Sequence, residues 1–355
     1  MSRKIELPLD LLEATRLTQA GRLVEATAAI QRLLRQQGTP ERVDAASGRV
    51  IDAEFSRIEE VRREARAPRG QPGEFISGSY GNHAGTRPYK LYIPKGYAGK
   101  ALPLVVMLHG CTQTPDDFAA GTGMNALAEE RGCFVLYPAQ TRAANRSRCW
   151  NWFKRGDQRR DKGEPAILAG MTRECMSRYA IDPRRIYVAG LSAGGAMAAV
   201  LVAAYPELYA AVGIHSGLAV GSAHDMPSAF AAMQGTPVAG NGVRGQAPSP
   251  VPAIVFHGDC DTTVHPQNGE RLILDSVDLA AASSVEQGQV PGGHAYTRTV
   301  HRDARGRIVL EHWLVHGAGH AWSGGSPLGS FTDPRGPDAG RAMLRFFDQN
   351  ERGMP

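Results

Sequence analysis

Long apolar runs are missing from this chain of 355 residues. The longest, Ala196 to Tyr205, spans ten residues, whereas a membrane-spanning helix needs about 18 or more. A membrane protein is not expected. Cysteine is scarce: the five residues at 111, 133, 149, 175 and 260 form no C-x-x-C pair and no Cys/His ligand cluster, so a zinc site is not expected. Lysine is scarcer relative to arginine, 6 of the 40 basic residues, and the formal net charge is only +5. With no run of five like charges and no basic stripe interleaved with aromatics, nucleic-acid binding is not expected either. The opening Met1-Ser2-Arg3-Lys4-Ile5-Glu6 has two positive charges but no apolar stretch behind them, so an export signal is not recognisable and a cytoplasmic location is expected.

What is present is ordinary for a globular protein: 42% apolar and 21% charged residues. Residues 9–36 read as two amphipathic helices broken near Gly21. Leu11, Leu12, Ala14 and Leu17 mark one apolar face; Leu23, Ala26, Ile30, Leu33 and Leu34 mark the other. The turn resembles one tetratricopeptide unit, but no second copy follows. A lone helical hairpin cannot bury both faces. Residues 1–40 are therefore expected to dock on the main domain, on a partner, or on a second copy as a homodimer contact. Residues 41–73, rich in Arg, Ala, Glu and Gly, read as a linker.

From residue 74 to 355 short apolar runs alternate with helical stretches. Strands are predicted at Lys90–Pro94, Leu102–Gly110, Cys133–Pro138, Ile186–Leu191, Ala211–His215, Ala253–Gly258 and Val309–Val315, and helices at Met124–Arg131, Ala166–Tyr179 and Gly195–Ala204. Several strands are apolar at consecutive positions, as parallel strands covered on both faces are. The fold class is α/β, a mostly parallel doubly wound sheet. Ligands in such sheets bind beyond the carboxyl ends of the strands, where His109-Gly110-Cys111, Ser192, Asp259 to Asp261 and His316 to His320 gather. Residues 221–250 read as a long loop flanking the groove.

Gly190-Leu191-Ser192-Ala193-Gly194 is a G-x-S-x-G string. Alone it is weak, but it follows a strand and opens an Ala-rich helix, the setting of a nucleophile elbow. A serine hydroxyl needs a base to take its proton, and the base needs an orienting acid. In hydrolases with this elbow the order is Ser, acid, His. Asp261, after the strand Ala253–Gly258, is the preferred acid, with Asp259 as rival. His320, in a glycine-flanked loop after the last strand, is the preferred base, with His316 as rival. The Ala193 and Cys111 amides are the candidate oxyanion donors. His109 and His257, each before a glycine at a strand end, are expected to hydrogen-bond backbone around the site, and His109 also counts among the substrate-binding candidates. The other histidines read as structural or solvent-exposed.

Taken together, LHGCTQTPDDFA (108–119), CWNWF (149–153), IDPRRIYVAGLSAGGAMA (181–198), HGDCDTTVHP (257–266) and GAGHAWSGG (317–325) resemble the polyhydroxybutyrate depolymerase family of esterases. That family has the α/β-hydrolase fold and is related to feruloyl and acetylxylan esterases. The resemblance covers roughly residues 75–350. It implies a Ser192–Asp261–His320 triad with Cys111 and Ala193 at the oxyanion hole, and places Trp150, Trp152 and Trp322 at the wall of an acyl or polymer groove, core packing being the alternative. It also implies that Cys111 pairs with Cys149, although a reducing cytoplasm opposes a disulfide. Cys260 stands where a smaller residue is expected, for which there is no physical account. The implied activity is hydrolysis of short-chain esters or hydroxyalkanoate oligomers through an acyl-enzyme, without cofactor or metal. Feruloyl or acetylxylan ester hydrolysis is the alternative, and an inert binding protein is the reading of another class. Export signal, linker and separate polymer-binding domain, which extracellular polymer depolymerases carry, are not recognisable, so soluble esters are favoured over crystalline polymer.

Overall fold

Ten strands form one sheet in the order β1-β2-β4-β3-β5-β6-β7-β10-β9-β8. In sequence they are β1 (Glu74–Asn82), β2 (Gly85–Ile93), β3 (Leu102–Leu108), β4 (Phe134–Pro138), β5 (Ile181–Leu191), β6 (Ala211–His215), β7 (Ala253–Gly258), β8 (Ala282–Gln289), β9 (Ala295–Arg302) and β10 (Ile308–Val315). The six strands from β4 to β10 run parallel. Antiparallel hairpins close both edges, β1–β2 at one and β8–β9 at the other. The computed structural model describes residues 73–236, 251–274 and 281–353. All of them belong to one unit, Ala67–Pro355. The expected helical hairpin, 1–40, and nearly all of the expected linker, 41–73, lie outside the described residues.

The parallel strands are apolar on both faces because both are covered. In β3, Leu104, Val106 and Leu108 join one buried cluster, together with the helices α3 (Gly163–Arg178) and α4 (Ala193–Ala204). Val105 and Met107 join the other, which holds α1 (Pro115–Thr122), α2 (Met124–Arg131) and α7 (Ala339–Asp348). Burying one such Leu or Val side chain contributes about 1.5–3 kcal/mol, so the two layers fix which way each strand faces. Helices on both sides of a mostly parallel sheet make this the expected α/β-hydrolase architecture.

All seven predicted strands and all three predicted helices form, within a few residues at their ends. The structure adds β1, β8, β9, the short parallel pair β11 (Trp322–Ser323) and β12 (Thr332–Asp333), and several helices. One of these, α5 (Met226–Met233), corrects the reading of 221–250 as loop. It is capped by Asp225, whose side chain accepts from the Ser228 N–H. Residues 237–250 lie outside the described residues. No helix among the described residues is long and apolar enough to cross a membrane.

Candidate active site

Ser192 sits between β5 and α4 with φ 58° and ψ −121°, a backbone that L-residues rarely adopt. Close packing enforces the turn. A Cβ on Gly194 would lie 2.0 Å from the Leu108 carbonyl oxygen, and one on Gly190 would lie 2.4 Å from the Gly194 carbonyl carbon. Only glycine fits at both places. Ser192 donates its N–H to the His215 carbonyl oxygen at 2.8 Å, and its side chain is half-buried at the carboxyl end of the sheet.

The parallel pairing of β7 with β10 aligns their ends, Gly258 opposite Val315, so the following loops leave the sheet side by side. Asp261, in the first loop, has a fully buried side chain. Its Oδ1 accepts the N–H groups of Thr263 (2.9 Å) and Val264 (2.8 Å). Its Oδ2 accepts Nδ1–H of His320, in the second loop, at 2.7 Å, and lies 3.5 Å from His257 Nε2. Burial alone would raise the Asp261 pKa. Hydrogen bonds from His257 and His320, and the attraction of His320, outweigh it and hold the carboxyl well below the usual range. Nε2 of His320 has no hydrogen bond among the described residues.

The two rivals pair with each other instead. Asp259 bonds His316 Nδ1 at 2.9 Å and the Gly317 N–H at 2.7 Å, and His316 Nε2 bonds Thr297 Oγ1 at 2.9 Å. Both ring nitrogens of His316 are thus engaged, and none is left for a serine.

His215 joins the serine to the histidine loop and was not singled out in the sequence. Its carbonyl holds Ser192, while its Nε2 accepts the N–H of Ser323, three residues after His320, at 3.0 Å. Nε2 is therefore unprotonated, and the ring proton on Nδ1 points to Ser216 Oγ at 3.2 Å. The ring stacks between Phe256 and Trp322. Burial, then the neighbouring His257 and His320, push its pKa down to about 3.

The loop after β3 lies against the elbow: a Cβ on Gly110 would be 3.7 Å from Ser192 Cβ. His109 shapes it from inside. Its Nδ1–H donates to the Gly110 carbonyl at 2.7 Å and its Nε2 accepts the Gln140 N–H at 3.1 Å. Burial lowers its pKa to about 4. A disulfide joins Cys111 to Cys149, with Cα atoms 4.2 Å apart. The N–H groups of Cys111 and Ala193 have no acceptor among the described residues, the Ala193 amide because the first turn of a helix leaves its donors unpaired.

Trp150 (0% exposed), Trp322 (1%), Trp152 and His109 are buried, which favours core packing over a groove wall for the tryptophans and backbone support over substrate contact for His109. Trp150 Nε1–H donates to the His109 carbonyl at 3.1 Å, Trp152 packs edge-on to Phe153, and Trp322 packs edge-on to Phe118. Among the described residues, no group of three or more His, Cys, Asp or Glu could hold a metal ion.

Several known proteins resemble this chain. Residues 87–286 match the family model described as Esterase PHB depolymerase. Poly(3-hydroxyalkanoate) depolymerase C of Paucimonas lemoignei is 33% identical over 68% of this chain, which spans only 60% of that relative's length. Feruloyl esterase B of Neurospora crassa is 29% identical over 72% of this chain and 86% of its own. Among solved structures, an acetyl xylan esterase from Aspergillus awamori superposes with a TM-score of 0.56 at 21% identity, covering 74% of this chain and 94% of that one. The last likeness carries the fold.

Proposed function

The chain belongs to the Esterase PHB depolymerase family, and we propose that it is a serine carboxylic-ester hydrolase working through an acyl-enzyme. Ser192 is the nucleophile, His320 the base and Asp261 the acid that fixes the imidazole. His320 Nε2 takes the proton of Ser192 Oγ, and Oγ attacks the ester carbonyl carbon. The charge that develops on the carbonyl oxygen is received by the amides of Ala193 and Cys111, each such donor contributing about 2.7–4 kcal/mol. On collapse the C–O bond to the alcohol breaks and His320 returns the proton to the leaving oxygen. Water then repeats the sequence on the acyl carbon, releasing the acid and restoring Ser192.

The observation that carries this reading is the hydrogen bond from His320 to the buried Asp261 carboxylate, with the His320 loop tied through His215 to the strained serine. Replacing Ser192 with Ala is expected to cut turnover of p-nitrophenyl butyrate by several orders of magnitude while folding survives. Near-full activity in that variant would overturn the assignment. A fluorophosphonate adduct on Ser192 separates an esterase from an inert binding protein of the same fold.

For the substrate we propose short-chain esters or hydroxyalkanoate oligomers, supported by the depolymerase relative. Feruloyl or acetyl esters of plant polysaccharide are the second reading, supported by the feruloyl esterase relative. Product release from hydroxybutyrate oligomers, methyl ferulate and acetylated xylan decides between them. We also propose that residues 1–40 are a homodimer contact; light scattering on a chain lacking them would retire the idea if the mass did not change. The Cys111–Cys149 disulfide favours maturation in an oxidising compartment over the expected cytoplasmic one.

A further inference from the structure

Six non-glycine residues of the described chain have a left-handed φ: Thr112, Arg148, Asp161, Ser192, Ser216 and Phe331. Four have an evident place at the site. Ser192 is the elbow, Ser216 follows His215, Thr112 follows Cys111 and Arg148 precedes Cys149. Phe331 is the bulkiest of the six, and a bulky residue with φ 53° is a genuine outlier. Such strain persists only where the surroundings over-determine it.

They do so here. The Phe331 carbonyl accepts the N–H of Trp322, two residues past His320, at 2.7 Å; two residues of chain reach about 7 Å at most. The preceding Ser330 donates its N–H and Oγ–H to the Asp117 carboxylate at 2.9 and 2.6 Å. Its carbonyl accepts Gln113 Nε2–H at 3.1 Å, while Gln113 Oε1 accepts the Gly110 N–H at 2.9 Å. The loop is thus bonded to the His320 side of the site and to the oxyanion side, with Phe331 between them.

Gly or Asn would take this backbone with less strain and keep every one of those main-chain bonds. Filling the core does not explain the aromatic ring, because Phe331 is 46% exposed. Leu328, in the same loop, is 83% exposed. The hydroxyls of Ser330 and Thr332 donate inward, to Asp117 and to the Ser326 carbonyl. The loop therefore presents apolar side chains and gives sugar hydroxyls little to bond.

We propose that Phe331, with Leu328, is the rest on which the aliphatic part of the ester lies, so that this loop favours hydroxyalkanoate-type chains over acetylated sugars. The proposal rests on the esterase reading above. Phe331→Gly and Phe331→Asn test it by kcat/KM on p-nitrophenyl hexanoate against acetate, by product release from a 3-hydroxybutyrate trimer against acetylated xylan, and by Tm. The hexanoate preference is expected to fall about tenfold, trimer hydrolysis to fall relative to acetylxylan, and Tm to hold or rise as strain is released. A hexanoate-to-acetate ratio unchanged within twofold overturns the proposal. So does a larger loss on acetylxylan than on the trimer, or a lowered Tm with equal loss on every ester. Failure of a fluorophosphonate to label Ser192 in the unsubstituted chain would remove the esterase reading and this proposal with it; labelling with an unchanged ratio removes this proposal alone.

Discussion

At Nε2, His109 and His215 each accept a backbone N–H, from Gln140 and Ser323 respectively. Each is a neutral, buried ring that fixes a loop beside the serine. Replacing His215 with Phe keeps an aromatic ring between Phe256 and Trp322 but strips the Ser323 N–H of its acceptor, a loss of about 1–3 kcal/mol for a buried donor. We expect kcat to fall about tenfold to a hundredfold with KM within threefold, counted per site titrated by fluorophosphonate; His215→Gln, whose amide oxygen can accept, should recover part of it. A Tm change with unaltered kcat per site would make the residue merely structural. The chemistry made Ser192, Asp261 and His320 legible, since a base, an acid and a nucleophile must come from strand ends in a fixed order. Nothing in spacing marks His215, because its importance arises from a carbonyl and a ring nitrogen that face two distant segments only after folding. For the tryptophans the sequence left groove wall and core packing open, and their burial favours the second. An indole in a motif near a site looks like a groove wall, yet the Trp150 N–H finds its partner inside, at His109.

Among the elements, the oxyanion loop and the elbow are held by different means. The loop is fastened by Cys111–Cys149, a separation of 38 residues; a cross-link of that length contributes about 4 kcal/mol in the chain-entropy view. Cys149→Ser, or reduction by dithiothreitol, is expected to lower Tm and also kcat, because Cys111 carries one of the two proposed oxyanion amides. A drop in Tm with kcat unchanged would separate the cross-link from catalysis. The elbow depends on backbone proximity: Gly194→Ala puts a methyl against the Leu108 carbonyl, and neither atom has room to yield. We expect little soluble protein, or a Tm lowered by several degrees with loss of activity. The central strands were readable because burial on both faces leaves continuous apolar runs, as in β3. β8 was not, since its side chains are almost all exposed and ASSVEQGQ carries neither apolar alternation nor a turn signal. It is a strand only because β9 supplies its hydrogen bonds.

For the whole molecule, buried histidines dominate the expected response to acid. Burial lowers the pKa of His109 to about 4, of His215 to about 3 and of His312 to about 4. In the unfolded chain the value returns to about 6.5, so the unfolded state binds more protons from about pH 6.5 downward. Stability therefore falls with falling pH across that window, by about 1.4 kcal/mol per pH unit for each group. Asp261, held low in the folded state, adds a further loss below about pH 4. Unfolding free energies from urea titrations between pH 7 and pH 5 should decline with a slope that steepens from about one proton to nearly three; a flat profile would mean that these rings are already charged or exposed. Every residue assigned to the reaction lies between 109 and 331, so a chain beginning at residue 71 is expected to keep kcat/KM within about threefold. The left-handed residues around the rim have one more consequence. Laboratory evolution that rewards heat survival alone should relax Thr112, Arg148, Ser216 and Phe331 toward Gly or Asn early, and the lineages that emerge would be tougher than their ancestor and slower at its trade.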